Sequence, residues 1–410
     1  MPNRPFRFIH AGDFHLEQPL MGVAEVPDHL RDVFLDAPYL AAQRVFDAAI
    51  DEDAQFVVLS GDLLQPPNAG PRAILFLVEQ FSRLAERNIP VYWAGGDVDP
   101  PEAWPSAIPL PGNVHRFPRG RVEQLGCDLD GMPLVRLAGA SCEPQHGPRP
   151  GEFVADPGGL YTLAVAYGTA DPSSMQGRGV HYWALGGRHD RSTPLHGPCM
   201  IHYCGSPQGR CPQESGIHGC TFVEVNAQQS SRTSLIPTEA ARWHTERLPI
   251  DDATTHDDLE LRIRERLHTL QESATDVPLM ISWLLSGKGA LAAELRRGRL
   301  AADLLNRLRV ECGHGQPPAW SISLDLEWTE SLPPEWYEQE TIRGDFLRAL
   351  RQLQMNPAEP VDLQRYVAES HRAGTLAEML AIADEAVRQR ALREATLLGV
   401  DLLSGEETQA

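Results

Sequence analysis

The sequence has no apolar run near the roughly 18 residues that a membrane-spanning helix needs, which argues against a helical membrane protein. It also lacks an apolar signal core. Met-Pro-Asn-Arg-Pro-Phe-Arg leads straight into the strand-like "FRFIHAGD", so export is not expected and a cytoplasmic location is. There is no CxxC pair. The seven cysteines form an odd set between Cys127 and Cys312, and Cys199, Cys204, Cys211 and Cys220 cluster without the spacing of a zinc site. Reduced thiols are the expectation. Positive charge is short as well: 36 Lys and Arg stand against 56 Asp and Glu, for a net charge of −20. Any nucleic-acid-binding face must therefore be local or supplied by a partner. No internal repeat and no low-complexity segment is present.

What is there has the composition of a soluble globular protein, 42% hydrophobic and 22% charged over 410 residues, enough for two or three domains. The first part alternates strand and helix signals. "FRFIHAG", "AQFVVLSGDLL" and "IPVYWAGGDVDPP" read as buried strands. "PYLAAQRVFDAAIDEDA" and "RAILFLVEQFSRLAERN" place apolar residues at helical spacing, and "QPPNAG" reads as a loop. This order predicts βαβ units around a largely parallel sheet. From Val114, "VHRFP", "PLVRLAG", "YTLAVAYGT", "VHYWALGG", "MIHYCGS", "CTFVEVN" and "RTSLIPT" read as successive strands of a second sheet packed on the first. A different layout begins near residue 246. There "DDLELRIRERLHTLQESA" is a helix, "PLMISWLLSG" a strand, "LAAELRRGRLAADLLNRLRVE" one long helix and "AWSISLDLEWT" an alternating strand. "SLPPEW" reads as a linker, and from Tyr337 the chain is almost all helical. The expected division is 1–245, 246–330 and 331–410.

Polar signals sit where the strands of the first domain end: Asp13 and His15 in Asp-Phe-His, Asp62 in Ser-Gly-Asp, Asp97 and Asp99 in Gly-Asp-Val-Asp, and His189 in Gly-Gly-Arg-His. Ligand sites of open α/β sheets form beyond the carboxyl ends of strands. Carboxylates and imidazoles converging there suit a divalent transition metal. Each signal alone has an ordinary explanation as a turn, a cap or a surface histidine. Their joint order is what points to a metal site.

That order resembles the calcineurin-like metallophosphoesterases, and the context is similar to their DNA-repair exonuclease branch, the SbcD and YhaO type. "FIHAGDFHLEQPLMGV" looks like that branch's opening, and "HYWALGGRH" and "YCGSPQGRCPQESGIHGCTFVEV" look like its later strands. The resemblance covers residues 6 to 245 and implies a four-layer α/β/β/α sandwich. After it would come a small α+β capping domain and a helical partner-binding region. It implies a first metal held by Asp13, His15, His189 and the bridging Asp62, with manganese or another divalent transition metal as the expected ion. A second metal would take Asp62, Asp97 in the place of the family's Asn, and two histidines.

Here the sequence departs from the family. The two second-metal histidine positions are Tyr167 and Gly187, and the catalytic histidine position is Val98, which can neither protonate nor stabilise a leaving group. No catalytic residue is therefore assigned. One ion rather than two is expected, with phosphodiester hydrolysis weak or lost. The loss of an imidazole general acid alone lowers rates about 10²–10⁴-fold. The alternatives are an active one-metal nuclease and a non-catalytic assembly subunit. A small-molecule phosphoesterase would not need the long helical tail. The resemblance also implies an SbcC-like or YhaN-like coiled-coil ATPase as partner, gripped by amphipathic helices in "IRGDFLRALRQLQ" and "TLAEMLAIADEAVRQRALREATLLGVDLL". The simpler reading is that those two helices pack on each other. The resemblance leaves room for a homodimer and for DNA. The best local basic segment carries Arg296, Arg297, Arg299, Arg307 and Arg309, and reads first as a solvated face of an amphipathic helix, second as a helix beside nucleic acid.

Overall fold

The computed structural model describes residues 4–143, 147–274, 277–287, 289–296, 298–327, 332–356, 382 and 385–406. The chain begins with β1 (Phe6–Ala11), α1 (Arg31–Asp51), β2 (Phe56–Leu59), α2 (Pro66–Glu86), β3 (Val91–Trp93) and β4 (Val114–Arg116). All four residues of β2 are buried, as a strand covered on both faces must be. Next come β5 (Glu123–Leu129), β6 (Met132–Gly139), β7 (Tyr161–Tyr167), the single-turn α3 (Pro172–Met175), β8 (Tyr182–Gly186), β9 (Ser192–Leu195) and β10 (Met200–Tyr203). β11 (Gly219–Val225) and β12 (Ser231–Pro237) follow.

Two six-stranded sheets result, in the orders β12-β11-β1-β2-β3-β4 and β5-β6-β7-β8-β10-β9. β1 to β4 run parallel, and so do β6, β7, β8 and β10. The inner faces meet in a core of Phe8, Phe56, Val58, Leu137, Leu163, Val165, Tyr182 and Ala184. α1 and α2 close the outer face of the first sheet over Val45, Phe46, Leu77 and Phe81. The outer face of the second sheet, around Trp183, Leu185 and Tyr203, is covered by Phe153, Met175 and Val180. Its outer helical layer is thus a single turn plus loops. This is the calcineurin-like fold, with mixed sheets and a helical C-terminal region.

Several expectations need correction. "VHRFP", "CTFVEVN" and "RTSLIPT" are β4, β11 and β12 and belong to the first sheet, not the second. β11 pairs antiparallel with the free edge of β1, a choice that periodicity cannot encode. "QPPNAG" is no loop. Pro66 opens α2, proline being suited to the first helical turn, and the chain kinks at Gly70, where φ is 67°.

The chain divides into two compact units. One comprises Met1–Thr245, Leu270–Ser282 and His314–Ile322; the other comprises Glu246–Thr269, Trp283–Gly313 and Ser323–Ala410. β13 (Arg242–Ile250), β14 (Leu279–Gly287) and β15 (Ala319–Glu327) pair in that order, with α4 (His256–Ala274) between the first two. The expected long helix is two, α5 (Ala290–Arg296) and α6 (Arg299–Cys312), broken at Gly298 with φ 85°. Of its arginines, Arg307 reaches Glu260 at 3.1 Å, and Arg297 lies outside the described residues. The expected linker "SLPPEW" runs into α7 (Pro334–Glu338). α8 (Ile342–Met355) and α9 (Glu385–Glu406) do pack on each other, through Leu347, Phe346 and Val400. Residues 375–381 of the expected final helix lie outside the described residues. Among the described residues no helix is long and apolar enough to cross a membrane.

The two sheets approach closely where β2 and β8 end. A Cβ at Gly186 would lie 2.1 Å from the Ser60 carbonyl oxygen, and one at Gly12 would lie 2.6 Å from Ser60 Oγ. Replacing Gly186 with Ala is expected to destabilise the fold by about 2–3 kcal/mol, the usual range for overpacking a tight core. The control is Gly112→Ala, where a Cβ meets open space, with an expected change within about 0.5 kcal/mol. Chemical denaturation of both variants measures the difference, and equal midpoints would refute the tight seam.

Candidate metal centre

The segment that follows β1 stays hydrogen-bonded to the segment that follows β2. Asp13 N–H donates to Gly61 O at 2.9 Å, His15 N–H to Asp62 O at 3.0 Å and Leu16 N–H to Leu63 O at 3.1 Å. Asp13, His15 and Asp62 all take left-handed backbone angles, with φ of 54°, 45° and 55°. Each costs roughly 1–2 kcal/mol for a residue with a Cβ. Three such residues in adjoining turns turn their side chains toward one place, as strained residues at functional sites do.

The third turn is fixed by Asp99, which is 2% exposed. Its carboxylate accepts the N–H groups of Asp62 (2.9 Å), Gly96 (2.5 Å) and Leu63 (3.0 Å) and the Trp93 indole N–H (3.0 Å). Asp99 therefore clamps the β2 and β3 turns together and has no oxygen left for an ion.

Asp13, His15 and His189 each present a ligand atom within 4.8 Å of the others. Both ring nitrogens of His15 are buried without a hydrogen-bond partner. Orphaned buried polar atoms of this kind call for a further partner such as an ion. His189 Nδ1 lies 2.7 Å from Glu214 Oε1. With the proton on Nδ1, this is the carboxylate–histidine arrangement common behind metal ligands, and Nε2 could ligate once Arg210 Nη2, 3.0 Å away, gives up its contact. The Asp13 carboxylate accepts the Gly187 N–H at 2.9–3.0 Å. The Arg210 guanidinium, ion-paired with Glu214 at 3.3 Å, lies 2.8–3.0 Å from the ring nitrogens of His189.

Burial, with help from Asp62, pushes the Asp13 carboxyl up to about 7, against the Gly187 N–H, His189 and Arg210. Burial, Arg210 and His189 bring His15 down to about 3, so it is neutral and able to ligate. Burial would raise Glu214, but hydrogen bonds from His189 and from the Arg210 backbone, with the Arg210 charge, bring it down to about 2. The neutral His15, the His189 ring held by Glu214 and the buried Asp13 carboxyl form a donor set that fits a divalent cation.

The other side of the site is different. Asp62 lies 3.7 Å from His15, but Tyr167 donates its hydroxyl to Asp62 Oδ2 at 2.6 Å and Val98 N–H donates to Oδ1 at 3.0 Å. Asp97 is exposed and stands outside the group of three; its Oδ1 accepts the Cys142 thiol at 3.1 Å. A Cβ on Gly187, where φ is 87°, would meet the Tyr167 ring at 3.1 Å. His181 stacks on Tyr161 and accepts the Thr162 N–H, away from the cluster. The sequence reading missed Glu214, Arg210 and Cys142. Glu214 and Arg210 lie in the long segment that carried the resemblance, but no ligand spacing marks them.

Residues 6–190 match the family model described as calcineurin-like phosphoesterase, and residues 243–329 match the middle domain of metallophosphoesterase YhaO. The uncharacterized metallophosphoesterase YhaO of Bacillus subtilis is 28% identical over 232 residues, 53% of this chain and 57% of that protein. The DNA double-strand break repair protein Mre11 of Methanococcus maripaludis is 29% identical over 104 residues, 25% of this chain and 26% of that protein. The chain thus matches little more than half the length of the first relative and about a quarter of the second. Among solved structures, TT1561 of Thermus thermophilus aligns with 56% of this chain and 98% of its own, at 12% identity and a TM-score of 0.33.

An ion must displace the Asp13 proton wherever that carboxyl is still protonated, which is below about pH 7. Mn²⁺ affinity is therefore expected to rise roughly tenfold per pH unit below pH 7 and to level off above it. His15, neutral above about 3, adds no competition in this window. Calorimetry in buffers of different ionisation enthalpy measures the proton released, close to one at pH 6. An affinity that is flat from pH 5.5 to 7.5 would contradict this.

Proposed function

We propose that this chain, which carries a calcineurin-like metallophosphoesterase domain followed by a YhaO-type middle domain, is a DNA-repair exonuclease-like phosphoesterase whose hydrolysis of phosphodiesters is weak or lost. Asp13, His15 and His189 would hold one ion, Mn²⁺ or another divalent transition metal, with Asp62 bordering it 3.7 Å from His15. Such an ion supplies positive charge for a phosphoester oxygen and a more acidic bound water. Glu214 fixes the His189 tautomer, and the Gly187 N–H fixes the Asp13 carboxylate. On the side of Asp62 where Tyr167 and Val98 bind it, away from His15, no imidazole among the described residues is placed to hold a second ion or to protonate a leaving group.

The observation that carries this reading is the set of groups around Asp62. Where the family pattern has histidines, a valine, a phenol and a glycine stand instead, and the phenol and the Val98 N–H already occupy the Asp62 oxygens. The DNA substrate class rests on the Mre11 relative's name and on the exonuclease resemblance. The ion pair of Arg307 with Glu260 weakens the case for a basic DNA face on α6.

A second reading, a non-catalytic subunit of an SbcC-like or YhaN-like ATPase complex, is favoured by one feature of α9. Leu398 and Leu402 remain 46% and 59% exposed one turn apart, although the helix packs on α8. In this reading they meet a coiled-coil helix, and Leu398→Glu with Leu402→Glu abolishes co-elution with the ATPase while the melting temperature holds. Co-elution that survives both changes would remove α9 from the interface.

Cleavage of linear double-stranded DNA with Mn²⁺ separates the two readings from an active nuclease. The native chain is expected to cut at least about 10²-fold more slowly than a Val98→His, Tyr167→His, Gly187→His triple variant. Single replacements are expected to do little, because the three act as a unit. Robust cutting by the native chain, abolished by Asp62→Asn, would defeat the weak-hydrolysis reading.

A further inference from the structure

Tyr167 does more than fail to ligate. Its ring lies in a cradle of three glycines from three different turns. A Cβ on Gly61 or Gly96 would lie 2.7 Å or 2.8 Å from Tyr167 Cδ2, and one on Gly187 would lie 3.1 Å from Cζ. The hydroxyl then reaches Asp62 Oδ2 at 2.6 Å. That is the length of a strong O–H···O⁻ hydrogen bond to an ionised group. A tyrosine that merely filled space would have no reason to end on the one carboxylate expected to bridge two ions.

We infer that Tyr167 stands in for the second cation: its ring fills the volume that ion and its imidazole ligands would take, and its hydroxyl proton satisfies the Asp62 oxygen that would face the ion. The inference rests on the reading that Asp13, His15 and His189 hold a first ion. It also couples two positions. An imidazole in place of Gly187 puts a Cβ 3.1 Å from Tyr167 Cζ, on a backbone with φ 87°, so that imidazole and the tyrosine ring compete for one space. The site is built for one ion, by replacement of the second rather than by an open gap.

Mn²⁺ titration followed by electron paramagnetic resonance tests this without reference to activity, because two neighbouring ions give a spin-coupled signal. The native chain is expected to bind one ion. Tyr167→Phe keeps the ring and should also bind one, but several-fold more tightly, since the freed Asp62 carboxylate can join the first ion. Tyr167→Ala, which removes ring and hydroxyl without adding bulk, should admit a second, weaker ion. Tyr167→His with Gly187→His should give the coupled signal, and Gly187→His alone should not. Two ions in the native chain, or a single ion in both the Ala variant and the double variant, would overturn the inference while leaving the first-ion reading intact. No ion in the native chain but one in the Ala variant would support the stand-in and remove the first-ion reading. No ion in any variant would overturn both.

Discussion

The site depends on how closely β8 can approach β2. Gly186 lets the end of β8 lie against Ser60, and Ser60 ties the strand ends together. Its N–H donates to Ala11 O at 2.9 Å, and its hydroxyl lies 3.1 Å from His10 Nε2. His10 Nδ1 in turn lies 3.1 Å from the Tyr182 hydroxyl on the facing sheet. His202, close by, bridges Thr193 and Thr221 at 2.8 Å each. Burial keeps both histidines neutral, lowering His10 well below its ordinary value and His202 to about 3. A buried polar network is stable only when its members are satisfied, and every ring nitrogen here has a partner. This seam sets the distance between the sheets, and so the distance from Asp13 on β1's turn to His189 on β8's.

Much of this was legible in the sequence because buried parallel strands read as plain apolar runs. β1, β2, β3, β7, β8 and β10 stand out for that reason. β5 and β9 did not. "EQLGCDL" alternates between half-buried and exposed positions, and "STPL" holds a proline at a sheet edge. Strand identity does not name a partner, so β4, β11 and β12 read as strands of the second sheet although they belong to the first. Asp13, His15 and His189 were legible because each follows a strand end. Glu214 and Arg210 act from behind the ligands, where only folding brings them to the ring. The contact of Cys142 with Asp97 joins segments 45 positions apart and leaves no spacing to read.

The same logic explains how a chain can keep the scaffold of a two-ion site after losing the residues for one ion. Simple deletion of the second ion would leave Asp62, 3% exposed, facing a void with a carboxylate that burial already disfavours. An uncompensated buried charge costs several kcal/mol, enough to threaten a fold whose total stability is about 5–15 kcal/mol. Here the Tyr167 hydroxyl and the Val98 N–H each take one Asp62 oxygen, and Asp99 holds the turn from below with four N–H bonds. The left-handed turn at Asp62 is therefore held by these hydrogen bonds whether or not an ion lies on its Tyr167 side. On the stand-in reading a single histidine meets an obstacle: imidazole at 187 crowds the tyrosine ring, and imidazole at 98 or 167 alone completes no ligand set. If Tyr167 stands in for a second ion, ion and tyrosine are alternative occupants of one space, and positions 98, 167 and 187 are expected to act as a unit.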